Sequence, residues 1–352
     1  MAIRVNINII FVEITMKKIL YITLVGLLAL AACDEKDEPT AGKIDADTDL
    51  YLVVNGWEEL DNAVIYSSSG DTIYVAEGGH INSLETDGSD WYALVVDSDE
   101  ENRRSHIIKN GQELFSTDED IYSLCVDGGN VYTLRDKMID WHIEYQWVYK
   151  NQERIYQIDA NEYFSTQMLV DNGHITLGPY YSPTPRYWQD GQFVAMQGLE
   201  GELEYCSMDK VGDDILLGFS GEHGKYGYWR NGQYYDNPIN RLSINGVKLV
   251  NGKVVLVGRV VVGQGVGGVR SASVILIDAK DYWPEGTTGR MRRYGKDFYI
   301  LTNSSLNQVL KNMEPIPLGY VNVKNERYQE IFGDRMNLSE MPISDFAIIK
   351  KK

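Results

Sequence analysis

Seven side chains on three neighbouring stretches could do chemistry together: Trp141, His142 and Tyr145, then Tyr180 and Tyr181, then His223 and Tyr226. An aromatic ring with a polar tip stacks on a sugar ring or a peptide plane, and nearby imidazole or phenol groups supply the hydrogen bonds that orient it. His142 and Tyr145 could also serve as an acid and base pair. The competing use of any one of these rings is to pack in a core. Their clustering on adjacent loops is what favours a ligand surface.

Other chemistry finds less support in the residue pattern. Neither an S-x-D-x-G-x-x-W box of the sialidase kind nor a G-x-S-x-G nucleophile turn is present, and spacing alone cannot select a catalytic carboxylate pair. Asp45, Asp47 and Asp49 alternate like the start of a calcium loop, but Leu50 and Gly56 occupy its glycine and glutamate positions. Asp97, Asp99, Glu100 and Glu101 read as a solvated loop. The five histidines (His80, His106, His142, His174, His223) lie in different repeats with no ligand spacing. Gly263, Gly265, Gly267 and Gly268 suggest a flexible insertion, since no helix follows them to cradle phosphate. The expectation is therefore no catalytic residue, no metal and no cofactor.

The elements that must position the aromatic loops are legible as a repeat. An outer hairpin recurs as IYSSSGDTIYV, IIKNGQELF, VYKNQERIY, YWQDGQFVA, YWRNGQYYD, ILIDAKDYW and VLKNMEPIP. The copies start at 65, 107, 148, 187, 228, 275 and 309, so their spacing runs from 34 to 47 residues. Asn or Asp followed by Gly between apolar runs signals a tight hairpin. A second hairpin precedes most copies, with turns near Gly88, Gly128, Gly173, Asp213, Gly252 and Lys296. Two hairpins per period make four antiparallel strands, which is a propeller blade.

The expected fold is an all-β propeller of seven blades, six or eight being alternatives, and a large sandwich fits the regular spacing less well. Seven outer hairpins face only six clear inner ones. The missing strands are assigned to the ends, where DLYLVVN at 49–55 and ISDFAIIKK near the carboxyl terminus would complete one blade and close the ring. The repeats at Tyr187/Trp188/Gln189/Asp190/Gly191 and Tyr228/Trp229/Arg230/Asn231/Gly232 resemble the WxNG-type repeats of bacteroidete surface lipoproteins with propeller domains. That resemblance spans roughly residues 49–349 and implies a fold and a location, with no catalytic residue to carry over.

The amino-terminal segment agrees with that location. From Met16 the chain reads MKKILYITLVGLLALAAC: Lys17 and Lys18 form a positive start, and the apolar run Ile19–Leu30 is too short to span a bilayer. Leu30, Ala31, Ala32 and Cys33 resemble the lipobox of bacterial lipoproteins, which implies cleavage before Cys33 and lipidation of its thiol. Met16 is the expected true start, with 1–32 as signal peptide, 33–48 as an acidic tether and 49–352 as a single propeller. Asp34 to Glu38 resembles the acidic tag that exports bacteroidete lipoproteins to the cell surface, the periplasmic face of the outer membrane being the alternative. Cys125 and Cys206 lie two repeats apart, so they read as buried small apolar side chains and not as a disulfide.

Formal charge is −18, and the mature chain would keep 30 basic and 50 acidic side chains for a net −20. Such a surface repels phosphate backbones and excludes nucleic acid as a partner. Three functions remain: a non-catalytic binding or scaffold module for a glycan or protein ligand, a propeller glycoside hydrolase or polysaccharide lyase, and an assembly subunit using the apolar strands of 247–277.

Overall fold

Six repeats of the outer hairpin turn on an Asn or Asp held at left-handed φ: Asn110, Asn151, Asp190, Asn231, Asp278 and Asn312, between 46° and 50°. Each backbone N–H donates to a carbonyl of the neighbouring second strand, on Trp91, Val131, Ile175, Ile215, Val254 and Phe298 respectively. Each side-chain oxygen accepts the N–H of that same residue at 2.7–3.3 Å. A glycine could adopt the turn but could not make the second bond, which explains why the repeat carries Asn or Asp there. Gln152 and Met313, at φ of 72° and 76°, stand where three other copies have glycine.

The computed structural model describes residues 44–56, 62–99, 103–136, 143–204, 207–219, 227–237, 239, 242–265, 268–278, 280–284, 287–303, 307–322 and 335–351. Their hairpins assemble into seven four-stranded antiparallel sheets. Blades 1 to 6 begin with the inner strands Gly79–Asp87, Asp120–Asp127, Gln167–Asp171, Ser207–Val211, Leu242–Val250 and Thr287–Tyr294. Blade 7 is composite, with Ile343–Lys350 as its inner strand and Thr48–Val54, Asn62–Ser67 and Thr72–Glu77 outside it. The chain ends pair antiparallel from Thr48↔Lys350 to Val54↔Ile343. Successive inner strands touch one another, and Ile343–Lys350 touches Gly79–Asp87, so the ring closes. The chain is a seven-bladed β-propeller.

The core lies between the blades. Trp188 and Trp229 of the repeat are 3% and 5% exposed. Trp188 packs with Tyr132 and Val148 of blade 2, while Trp229 donates its indole N–H to the Gln197 carbonyl. Where two blades approach closely the second strand carries glycine: a Cβ on Gly218 of blade 4 would collide with Ile244 and Val247 of blade 5. Two small sheets supplement the blades, Tyr181–Ser182 with Leu203–Glu204 and Tyr320–Asn322 with Arg335–Asn337.

Candidate functional site

The inner strands do not run as regular ladders. At one height in five blades an extra residue is inserted: Asn82 in blade 1, Tyr122 in blade 2, Asn245 in blade 5, Gly289–Arg290 in blade 6 and Ser344 in blade 7. A bulge lets two residues oppose one on the partner strand and re-aims a side chain without disturbing the buried face. Ile81 and Leu84 therefore stay in one core cluster with Ala93 and Val95 although two residues separate them. Ile121 and Leu124 do the same, as do Ile244 with Val247 and Ile343 with Phe346.

Four of the re-aimed side chains, Asn82, Tyr122, Asn245 and Arg290, line a cavity of about 780 Å³ along the propeller axis. Arg103, Asp120 and Thr166 share its wall. A second cavity of about 360 Å³ continues it and shares Glu85, Cys125, Lys248 and Arg292. The volumes are those of small-ligand sites.

The charges on this wall oppose those of the whole chain. Arg103, Lys210, Lys248, Arg290, Arg292 and Arg293 face the two cavities, against Glu85, Asp120, Asp171 and Asp209. Deep in the channel the charges are committed to one another. Arg292 reaches the Glu85 carboxylate at 2.7 Å, the Leu84 carbonyl at 2.7 Å and Asp345 at 3.0 Å, which ties blades 6, 7 and 1 together. Arg293, on the opposite face of the same strand, donates to Asp209 at 2.8 Å and to the Leu249 carbonyl at 2.7 Å. Lys248 also pairs with Asp209 at 3.2 Å. The partner carboxylates hold the Arg292 guanidinium firmly protonated despite its burial.

Side chains of the inner strands also hold the next blade's backbone. Asp345 accepts from the Leu84 N–H, Ser123 from Met168, Gln167 from Met208 and Asp209 from Leu249. Cys125 belongs to this wall: it is half-buried, free of a disulfide, and donates its thiol to the Met168 carbonyl at 2.9 Å. It packs against the apolar cluster between blades 2 and 3, as expected from the sequence, and adds a hydrogen bond that an apolar side chain could not make. Burial pushes its thiol pKa up.

Asp136 lies behind the Tyr122 bulge. It is wholly buried, and neither of its carboxylate oxygens meets a donor at hydrogen-bonding geometry. Burial, with Asp120 and Glu119 nearby, raises its pKa to about 6, although the Tyr122 hydroxyl offsets part of that penalty. Burial and the same Asp136 carboxylate push the Tyr122 phenol up in turn.

Of the residues singled out in the sequence, Cys33, Trp141, His142, His223 and Tyr226 lie outside the described residues, as does Cys206. Tyr145 opens the third strand of blade 2 and is 39% exposed. Tyr180 packs edge-on against Phe164 at 5.7 Å, and Phe164 in turn against Tyr122 of the channel wall at 5.5 Å. Tyr181 is half-buried and pairs with Glu204 in the small sheet over blade 3. Among the described residues, no group of three or more His, Cys, Asp or Glu is placed to hold a metal ion.

Sequence reasoning missed the bulged residues, although they leave a signature. Ile-Asn-Ser-Leu at 81, Ile-Tyr-Ser-Leu at 121, Ile-Asn-Gly-Val at 244 and Ile-Ser-Asp-Phe at 343 repeat one pattern at the mouth end of an inner strand. Each is two buried apolar residues separated by two, a spacing that a regular strand forbids.

No protein-family model matches the chain, and no curated protein matches it in sequence. Solved structures similar to it in fold are distant in sequence. An acylaminoacyl peptidase in complex with Z-Gly-Gly-Phe-chloromethyl ketone is 13% identical with a TM-score of 0.50, over 79% of this chain and 52% of that one. The β-propeller domain of the Trilobed protease from Pyrococcus furiosus is 15% identical with a TM-score of 0.48, over 76% and 90%. Apo AztD from Citrobacter koseri is 9% identical with a TM-score of 0.45, over 87% and 99%. The chain spans about half the length of the peptidase. At these identities the likeness concerns the fold alone.

Proposed function

We propose that the chain is a lipid-anchored, surface-displayed, non-catalytic binding module that takes a glycan or protein ligand at the mouth of its propeller channel. The observation that carries this reading is the arc of bulged side chains. A bulge repeated at one height in five blades serves no packing need, since the apolar residues on either side keep their places. It does supply an outward row of amide, phenol and guanidinium groups. The carboxylates Glu85, Asp209 and Asp345 each hold a guanidinium, which supports binding over general acid–base work. Tyr145, Tyr180 and Tyr181 would extend the mouth as an aromatic rim, and Trp141, His142, His223 and Tyr226 keep the ligand-binding role proposed for them from the sequence. Anchoring rests on the lipobox-like Leu30–Cys33 and on the resemblance to bacteroidete surface lipoproteins, and display on Asp34–Glu38.

Two measurements test the reading. Asn245→Trp, which narrows the mouth, should abolish capture on glycan and peptide arrays while leaving the melting temperature near that of the parent. Undiminished capture would remove the channel as the site, and turnover of a captured glycan would transfer the protein to the propeller hydrolases or lyases, with His142→Ala the next variant. Labelled palmitate should be incorporated by the parent and not by Cys33→Ser, and external protease should strip the protein from intact cells. Protection until lysis would place it on the periplasmic face instead.

A further inference from the structure

We propose that the mouth selects a carboxylate-bearing saccharide, a uronic acid, with Arg290 and Arg103 as the residues that read its charge. The inference rests on the binding reading above and names the ligand class. Among the described channel guanidiniums Arg290, unlike Arg292 and Arg293, is left with capacity. Its side chain is 55% exposed, and its nearest carboxylate, Asp345, stands 4.0 Å away. That carboxylate is already held by Arg292 at 3.0 and 3.1 Å. Its hydrogen bond to the Asn82 carbonyl is long, at 3.3 Å. Guanidinium offers five N–H donors in a planar fork matched to a carboxylate, so most of this donor set faces the cavity unspent.

Arg103 is exposed on the wall of the same cavity. Its positive charge is felt at both the His80 imidazole of blade 1 and the Tyr122 phenol of blade 2. Arg290 contacts Asn82, so Arg290, Asn82, Arg103 and Tyr122 follow one another around the rim across blades 6, 1 and 2. Asn245 extends the arc into blade 5. The amides of Asn82 and Asn245, both exposed, and the hydroxyls of Tyr122 and Thr166 suit the hydroxyl groups of a sugar. A chain carrying net charge −18 would repel a polyanion everywhere else, so a basic, recessed mouth admits a negative group end-on while the outer surface rejects it.

The test uses the full chain in detergent, with a short oligogalacturonide and its methyl ester as probes, since esterification removes the charge and keeps the saccharide. Calorimetry should show the acid binding about tenfold or more tightly than the ester, with the difference shrinking as salt rises. Arg290→Gln and Arg103→Gln should each bring the acid down towards the ester without lowering the melting temperature. Equal binding of acid and ester, with both lost in Asn245→Trp, would overturn the charge selection and leave the mouth as a site for neutral ligands. Binding of the acid undiminished in both arginine variants, or no binding of either probe, would overturn the proposal too.

Discussion

Asn231 shows what a single turn residue contributes here. Its left-handed backbone is tolerable for Asn, and its carboxamide bridges the hairpin to Ile215 on the second strand at 2.9 Å and to Asp214 at 2.8 Å. Asn231→Ala loses both bonds and keeps a β-carbon at positive φ without the side-chain bonding that makes the left-handed conformation tolerable for Asn, so chemical denaturation should register a loss of roughly 1–3 kcal/mol. Asn231→Gly loses the same bonds but also relieves the left-handed strain by removing the β-carbon, and should lose less. Were the glycine variant as stable as the parent, the bridge would count for nothing and backbone conformation alone would explain the residue.

Asp136 gives a pH signature at the same scale. Unfolded, its carboxyl releases its proton near pH 4; folded, it holds it to about 6. Between those values the folded state binds the extra proton, so the cost of ionising a buried acid grows as pH rises from about 4 and is complete above 6. Asp136→Asn lacks this titration. Relative to the parent it should gain roughly 1–3 kcal/mol on going from pH 4 to pH 7. A constant cost of the buried amide leaves that difference untouched, and identical pH profiles for the two proteins would refute the assignment.

At the scale of the element, the turns were legible and the bulges were not. Asn or Asp before Gly, present in three copies, is a local signal that needs no partner strand, and its spacing located the looser copies, which is why seven outer hairpins could be counted and the composite blade assigned from the sequence. A bulge is a relation between two strands. In one strand it shows only as an apolar spacing of three, which a search for alternation treats as an interruption. The charges of the channel were unreadable for a similar reason: Arg103, Lys248 and Arg290 come from blades 1, 5 and 6, and only the ring brings them together. The bulge geometry yields an unusual expectation. Removing one residue from a strand normally flips everything beyond it to the wrong face. Deleting Asn82 should instead give an unbroken ladder with Ile81 opposite Val95 and Ser83 opposite Leu94, pairs that already exist. The variant should fold with a melting temperature within a few degrees of the parent, about 1 kcal/mol or less in stability, and bind ligand poorly. Failure to fold would show that the bulge is needed for the blade.

For the whole molecule the seam of blade 7 matters most. Asp345 is 1% exposed and holds Arg292 of blade 6 and the Leu84 N–H of blade 1 across the junction. Asp345→Ala leaves Arg292 with Glu85 as its remaining carboxylate and takes the acceptor from the buried Leu84 N–H, and should cost roughly 1–3 kcal/mol in denaturant. Asp345→Asn keeps an acceptor for Leu84 and should fall between that variant and the parent. A negligible effect of the alanine variant would mean that the apolar strand alone closes the ring.

The seam also orders events in time. Among the described propeller strands Ile343–Lys350 is the last to leave the ribosome, and its partner Thr48–Val54 is the first. Until Ile343–Lys350 arrives, that first strand has an unpaired edge and the ring stays an open arc. Closure joins the most distant contacts in the chain, so it is the slowest step that topology dictates. A chain stalled or clipped before Ile343 presents a bare strand edge to its neighbours, which makes loss of this strand a route to aggregation, not to a smaller working protein.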